Sequence, residues 1–296
     1  MYPFWKLPEI KLAPDVIFNI GPLPVTNTLL CTWITIIILV VLTFFATRRQ
    51  DLIPRGMQNF AEWAVESLLG LVESVAGKEK GRKFFPLVAT FFIFILFANL
   101  LDIFPGVDTI GWVDLTAIRL AHLTPPTSIF LIGDYSNKIV PWFRPGTTDL
   151  NLTIAMALVS VIVTQVFGFY MLGAKRYLGR FFKFTSPINF YVGLLELVSE
   201  MARIISLSFR LFGNIFAGTI VLAIFALLLP VIGGVVFIPF ELFVAFLQAF
   251  IFALLTLVFL TIATSEEEHQ ASSEHEAREE FVENVEKEEK LAEVTH

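Results

Sequence analysis

The chain has 296 residues, of which 56% are hydrophobic and only 16% charged, against about 25% charged in an ordinary soluble domain. Together with a mean hydropathy of +0.74, this excludes a soluble globular protein and indicates a multispanning membrane protein. The net charge of −6 is unevenly placed: residues 265–296 carry 12 acids and 3 bases, a local −9, which leaves the body at +3.

Residues 1–26 include Pro3, Pro8, Pro14, Pro22 and Pro24 and lack the basic, apolar and small-residue pattern of a signal peptide, so they read as an extramembrane arm. A first span is expected from Asn27 to Thr47, stopped by Arg48, Arg49 and Pro54. Within 57–76, Phe60, Ala64, Leu68, Leu71 and Val75 recur at helical spacing, with Glu62, Glu66 and Glu73 on the other side. That is the pattern of an interfacial or packed amphipathic helix rather than a span. The basic cluster KEKGRK at 78–83 follows, and a second span is expected from Phe84 to Phe104. Residues 105–148, with Pro105, Pro125, Pro126, Pro141 and Pro145, read as an ordered loop. A third span runs from Asp149 to Leu172 and is closed by Lys175, Arg176, Arg180 and Lys183.

From Pro187 to Pro230 the chain stays helix-like for over 40 residues, which at 1.5 Å per residue is about 60 Å, twice the hydrocarbon thickness. Such a helix must tilt steeply, kink or lie partly along the surface. A last span is expected from Val235 to Thr264. The tail 265–296 reads as a solvated segment whose thin apolar repeat is Phe281, Val285 and Leu291. The expected architecture is an all-α membrane protein with five transmembrane helices plus one amphipathic interfacial helix. Basic residues number 7 in 48–83 and 4 in 173–187, against 2 in the arm and 3 in 105–148, which favours the N-terminus outside and the C-terminus cytoplasmic. The lone Cys31 permits no internal disulfide, and His122, His269, His275 and His296 form no spaced pairs within apolar segments. No metal or other cofactor is expected.

Ionisable residues at membrane depth cost about 2.5 to 3.5 kcal/mol each on insertion scales, so each needs a partner, water or a purpose. Glu196, Glu200, Arg203, Ser206, Arg210 and Asn214 follow steps of 4, 3, 3, 4 and 4 along one helix face. Gly213 and Gly218 lie close to that face, where small residues let another helix approach. Glu200 and Arg203 read as an i,i+3 ion pair near the cytoplasmic headgroups, with side chains snorkelling to water. Arg210 lies two turns deeper and is a fixed positive charge that cannot itself carry a proton; the alternative is a structural arginine paired with Glu241. Glu241 and Gln248, seven residues apart, share a face of the last helix, and Asn99 and Asp102 share one near the end of the second span. For Asp102 and Asp149 a helix-end or capping role and a channel role both stand. Gln165 suggests an interhelical hydrogen bond. From these residues alone, a substrate-binding transporter or channel and a structural scaffold are the rival readings, and the lack of an internal repeat counts against a repeat-built transporter.

The strings SLSFRLFGNIFAG (206–218), LQAFIFALLTLVFL (247–260), NLLDIFPG (99–106) and DLNLTIAMAL (149–158) resemble subunit a of the F-type ATP synthase, the stationary membrane subunit facing the c-ring. The resemblance implies five spans plus an amphipathic helix, with the last two helices long and strongly inclined around the ring. It implies a proton-translocating stator with two offset half-channels, which converts proton flow into ring rotation for ATP synthesis. Arg210 is similar to the family's essential arginine, which faces the c-ring carboxylate. Asn214, Glu241, Gln248, Asp102 and Asn99 would form the outer half-channel, and Glu196 and Ser206 the inner one. Many bacterial members carry an acid where Thr219 stands and a histidine where Glu241 stands, so here Glu241 would serve alone.

The implied partners are the c-ring subunits, the peripheral stalk b subunits, the lipid bilayer and the transported proton. Neither nucleic acid nor direct nucleotide binding is implied. No GxxxxGK[ST] loop is present, so the chain is not expected to be an enzyme by itself. The expected division is an extracytoplasmic arm (1–26), a membrane domain (27–264) and an acidic cytoplasmic tail (265–296). The expected location is a bacterial inner membrane or, alternatively, a thylakoid membrane.

Overall fold

The computed structural model describes residues 13–48, 56–103, 111–113, 139–173, 177, 187–228 and 236–264. The acidic tail, the first 12 residues and most of the loop 105–148 lie outside the described residues. Strands β1 (Val16–Ile20) and β2 (Leu23–Thr26) pair antiparallel in a hairpin that sequence reading did not anticipate. Its turn passes through Gly21 at φ 61°, a left-handed conformation that glycine adopts without a Cβ clash.

Helix α1 (Asn27–Thr47) begins where the side chain of Thr26 accepts a hydrogen bond from the Leu29 N–H, an N-cap. Helix α2 (Met57–Ala76) is the amphipathic segment, and α3 (Lys78–Asp102) follows after a single residue, Gly77, at φ 77°. The basic cluster 78–83 is therefore the first turns of α3, and the second membrane helix runs to Asp102 rather than from Phe84 to Phe104. The two helices lie so close that a Cβ on Gly81 would stand 3.1 Å from the Glu73 Cα. Arg82 and Glu73 pair at 2.9 Å across this hairpin.

Two three-residue strands, β3 (Gly111–Val113) and β4 (Ile139–Pro141), pair antiparallel within the predicted loop. A 3-10 turn (Gly146–Thr148) leads into α4 (Leu150–Leu172), whose N-cap is Asp149. Helix α5 (Pro187–Leu228) is continuous over 42 residues, about 63 Å of helix. Helix α6 (Val236–Thr264) completes the set. Helices α1, α3, α4, α5 and α6 are each long and apolar enough to cross a membrane.

The main core joins four helices: Phe91 and Ile95 of α3, Met156 and Ala157 of α4, Leu207 and Leu211 of α5, and Ala249 and Phe252 of α6. A second cluster joins Val72 and Ala76 of α2 to Phe84 and Val88 of α3 and to Ala253, Leu257 and Leu260 of α6. Lipid tails are as apolar as leucine, so these contacts stabilise through close packing rather than hydrophobic transfer. The packed side of α2 is rotated from the expected stripe. Val72 and Ala76 are buried and Leu71 of the stripe packs beside them, whereas Phe60 and Val75 are 65% and 38% exposed.

Interhelical hydrogen bonds add specificity. Ser160 of α4 and Thr256 of α6 meet through their hydroxyls at 2.9 Å in a buried position, a bond worth about 0.6 kcal/mol in a membrane bundle. Instead of the bond to another helix expected of Gln165, its Oε1 accepts from the Tyr177 hydroxyl, twelve residues along the chain. The Lys80 ammonium donates to the Thr264 carbonyl at 3.3 Å, placing a cation on the C-terminal end of α6 where the helix dipole favours it.

Candidate functional site

The polar stripe of α5 forms as its spacing requires, along the border between that helix's packed and open sides. Leu207, Leu211 and Ile215 are buried against the bundle, Phe209 and Ile205 are open, and Ser206 and Asn214 are exposed at the margin. Arg203 and Arg210 are half-buried there. Among the described residues Arg210 makes no ion pair or hydrogen bond, so the pairing with Glu241 is not formed. Ser206 likewise makes no hydrogen bond among the described residues, and Glu196 is half-buried and engaged in an interaction of its own.

One turn beyond Arg210, the Asn214 amide donates to Gln248 Oε1 at 2.6 Å, joining α5 to α6. Gln248 is 2% exposed, and its Nε2 has no hydrogen-bond partner. A cavity of about 230 Å³ opens beside this bond, with Asn99 and Asp102 from α3, Asn214 and Gly218 from α5, and Glu241 from α6 on its wall. It has room for several waters, and its polar groups offer the two to four partners a buried water needs. Asn99 is 1% exposed, and neither its amide nitrogen nor its oxygen is hydrogen-bonded. A fully buried amide without partners is expensive, and water in the cavity would satisfy it.

The two glycines near the stripe differ. A Cβ on Gly218 would lie 3.3 Å from Glu241 Oε1, so this glycine admits the α6 carboxylate to the seam, whereas at Gly213 a Cβ meets nothing within 4 Å. Thr219 is turned back on its own helix, donating to the Ile215 carbonyl at 3.0 Å. It is absent from the cavity wall, where Glu241 and Asp102 are the carboxylates among the described residues.

Two other acids are placed differently from the cavity groups. Asp149 caps α4: Oδ1 accepts from the Asn151 N–H at 2.9 Å, and Oδ2 accepts from the Thr28 hydroxyl at 3.0 Å. Of its two open roles the structure shows the cap. Glu200 and Arg203 approach to 2.9 Å, but they do not snorkel to water as expected: their side chains are 12% and 15% exposed. The Arg203 guanidinium instead lies 3.8 Å above the ring centre of Phe259 on α6, a cation–π contact. Sequence reading missed Phe259 because an aromatic in an apolar run of a helix carries no signal of what it faces.

Comparison with known proteins bears on this arrangement. A family model described as ATP synthase A chain matches residues 29–261. A curated ATP synthase subunit a from Moorella thermoacetica is 34% identical over 249 residues, which are 84% of this chain and 95% of that relative. One from Campylobacter jejuni subsp. doylei is 35% identical over 77% of this chain and 85% of its own length. A third, from Gloeobacter violaceus, is 30% identical over 83% of this chain and 87% of its own length.

Proposed function

From the premise that the chain belongs to the ATP synthase A chain family, and so is a multi-pass membrane subunit of that complex, we propose that it carries protons past a c-ring through two offset half-channels. The outer half-channel is the cavity of Asn99, Asp102, Asn214 and Glu241, with Gln248 at its inner end. Protons arriving there neutralise a c-ring carboxylate, which can then turn into lipid because it no longer carries charge. After nearly a full turn the carboxylate meets the inner half-channel at Glu196 and Ser206 and releases its proton.

Arg210 stands between the two paths. Its guanidinium stays protonated, so it stabilises the carboxylate anion at the moment of exchange and blocks protons from crossing directly. Each charge carried through yields about 2.3 kcal/mol per 100 mV, so several are pooled mechanically for each ATP made elsewhere in the complex. In this reading the N-terminal arm 1–26 is extracytoplasmic and the tail 265–296 cytoplasmic. The peripheral stalk b subunits hold the chain still, and the membrane is a bacterial inner membrane.

The observation that supports this reading best is the convergence of polar groups from α3, α5 and α6 on one cavity, one turn from an arginine without an ion pair among the described residues. The test is Arg210→Ala, read as ATP-driven proton pumping and passive proton permeability in vesicles, with the c-ring co-purified to check assembly. Lost pumping in an intact complex is the expected result. Normal pumping would overturn the stator mechanism and leave a structural arginine.

A further inference from the structure

Arg203 and Arg210 are the only basic residues of α5, and α6 has none. They share a face seven residues apart, yet their settings differ. Arg203, half-buried like Arg210, lies 2.9 Å from Glu200 and is stacked on Phe259, whereas Arg210 has no counter-ion among the described residues. Within the Glu200–Arg203 contact the N–H is not aligned on the oxygen, and Glu200 Oε2 makes no hydrogen bond. The contact therefore works through charge rather than directional bonding. Phe259 belongs to the shell around the main core, so the cation–π contact holds the guanidinium toward α6.

We propose that Glu200 is a charge-compensating positioning residue. It cancels Arg203 on the stretch of α5 between Glu196 and Arg210, so that Arg210 is the one uncompensated cation of α5 beside an ion on the inner path. This rests on the proton-path reading above. A guanidinium does not discharge when its partner is lost, so removing Glu200 exposes a second permanent cation. Seven residues of helix set it about 10 Å from Arg210. At that distance and an effective dielectric of about 20, one unit charge changes a local proton occupancy on the order of tenfold. The effect has a direction. An extra cation opposes the loading of a carboxylate from the inner side, which ATP-driven pumping requires, and favours unloading there, which synthesis requires.

The experiment is Glu200→Gln and Glu200→Gln/Arg203→Met in the whole complex, with initial rates of ATP-driven pumping and of proton-driven synthesis measured on the same vesicles. Glu200→Gln is expected to lower the ratio of pumping to synthesis by about tenfold, and the double variant, again neutral, to restore it. A purely structural pair would lower both directions together and leave the ratio unchanged. An unchanged ratio in Glu200→Gln, or a double variant that fails to restore it, overturns the proposal. If Glu200→Gln alone does not assemble, assembly of the double variant with the parental ratio still supports charge compensation, and its failure to assemble refutes it. Arg210→Ala run alongside separates the two readings. Normal pumping there sinks the stator mechanism itself, while lost pumping there with an unchanged Glu200→Gln ratio sinks only this inference.

Discussion

Gly218 and Glu241 face each other across the α5–α6 seam so closely that one added carbon on the glycine would stand 3.3 Å from the carboxylate oxygen. The carboxylate is the flexible partner, so Gly218→Ala is expected to shift it by a few tenths of an ångström and to lower proton pumping a few-fold in a complex that still assembles. Gly218→Val should lower it much further. Gly70→Ala serves as the control, since a Cβ there meets nothing within 4 Å and alanine gains up to about 1 kcal/mol of helix propensity. Equal pumping by all three variants would show that the position of Glu241 is immaterial.

Gln248 is enclosed almost completely, yet one of its two amide atoms is unpaired. Gln248→Leu, close in size, loses the Asn214 bond, worth about 0.6 kcal/mol, and also removes an unsatisfied amide. The thermal stability of the purified complex should therefore change by less than about 1 kcal/mol, while pumping drops severalfold. A large loss of stability with normal pumping per assembled complex would make Gln248 a packing residue.

Asp149 offers a sharp choice between capping and proton transfer. Asparagine caps a helix about as well as aspartate, and alanine costs about 1 kcal/mol. Asp149→Asn is therefore expected to assemble and pump normally, and Asp149→Ala to assemble less well with normal pumping per complex. Loss of pumping in Asp149→Asn would mean that the carboxylate has a role beyond its bonds to Thr28 and Asn151.

Gly168 gives way to the ring of Tyr177, which occupies the space a side chain would take: a Cβ there would run into the ring. Gly168→Ala forces the ring outward and strains its bond to Gln165, an overpacking cost of about 1 to 3 kcal/mol. Faster proteolytic cleavage after residue 173 in the variant is the expected readout, and an unchanged rate would show that the Tyr177–Gln165 contact does not protect the chain there.

The long apolar runs made the membrane helices legible. Helix α1 has the bounds its sequence indicates, and the Asp149 cap and the Pro187 start of α5 are written in residue types with strong positional preference. The polar stripe was legible too, because charge in an apolar helix is costly enough to stand out. What could not be read were choices between equivalent apolar surfaces. Phe60 and Val75 on one side of α2 look like core residues, yet the bundle takes Val72 and Ala76, and lipid accepts the remainder at no penalty. Nor could spacing reveal that Arg203 would lie against Phe259, since that contact depends on how two distant helices cross.

The clasp between Lys80 and the final carbonyl of α6 has a mechanical meaning. At the Thr264 end, α6 is tied to α3 by this bond and by the packing of Ala253, Leu257 and Leu260 against α2 and α3. Toward Val236 its side chains are largely open among the described residues, where Phe237 meets the ring of Phe225 on α5. A beam fixed at one end and lightly braced at the other deflects most at the braced end. Among the described residues α6 is thus held more firmly beside Arg203 and Phe259 than beside Glu241, so a sideways load on α6 is expected to move the Glu241 side of the cavity more than the Thr264 end.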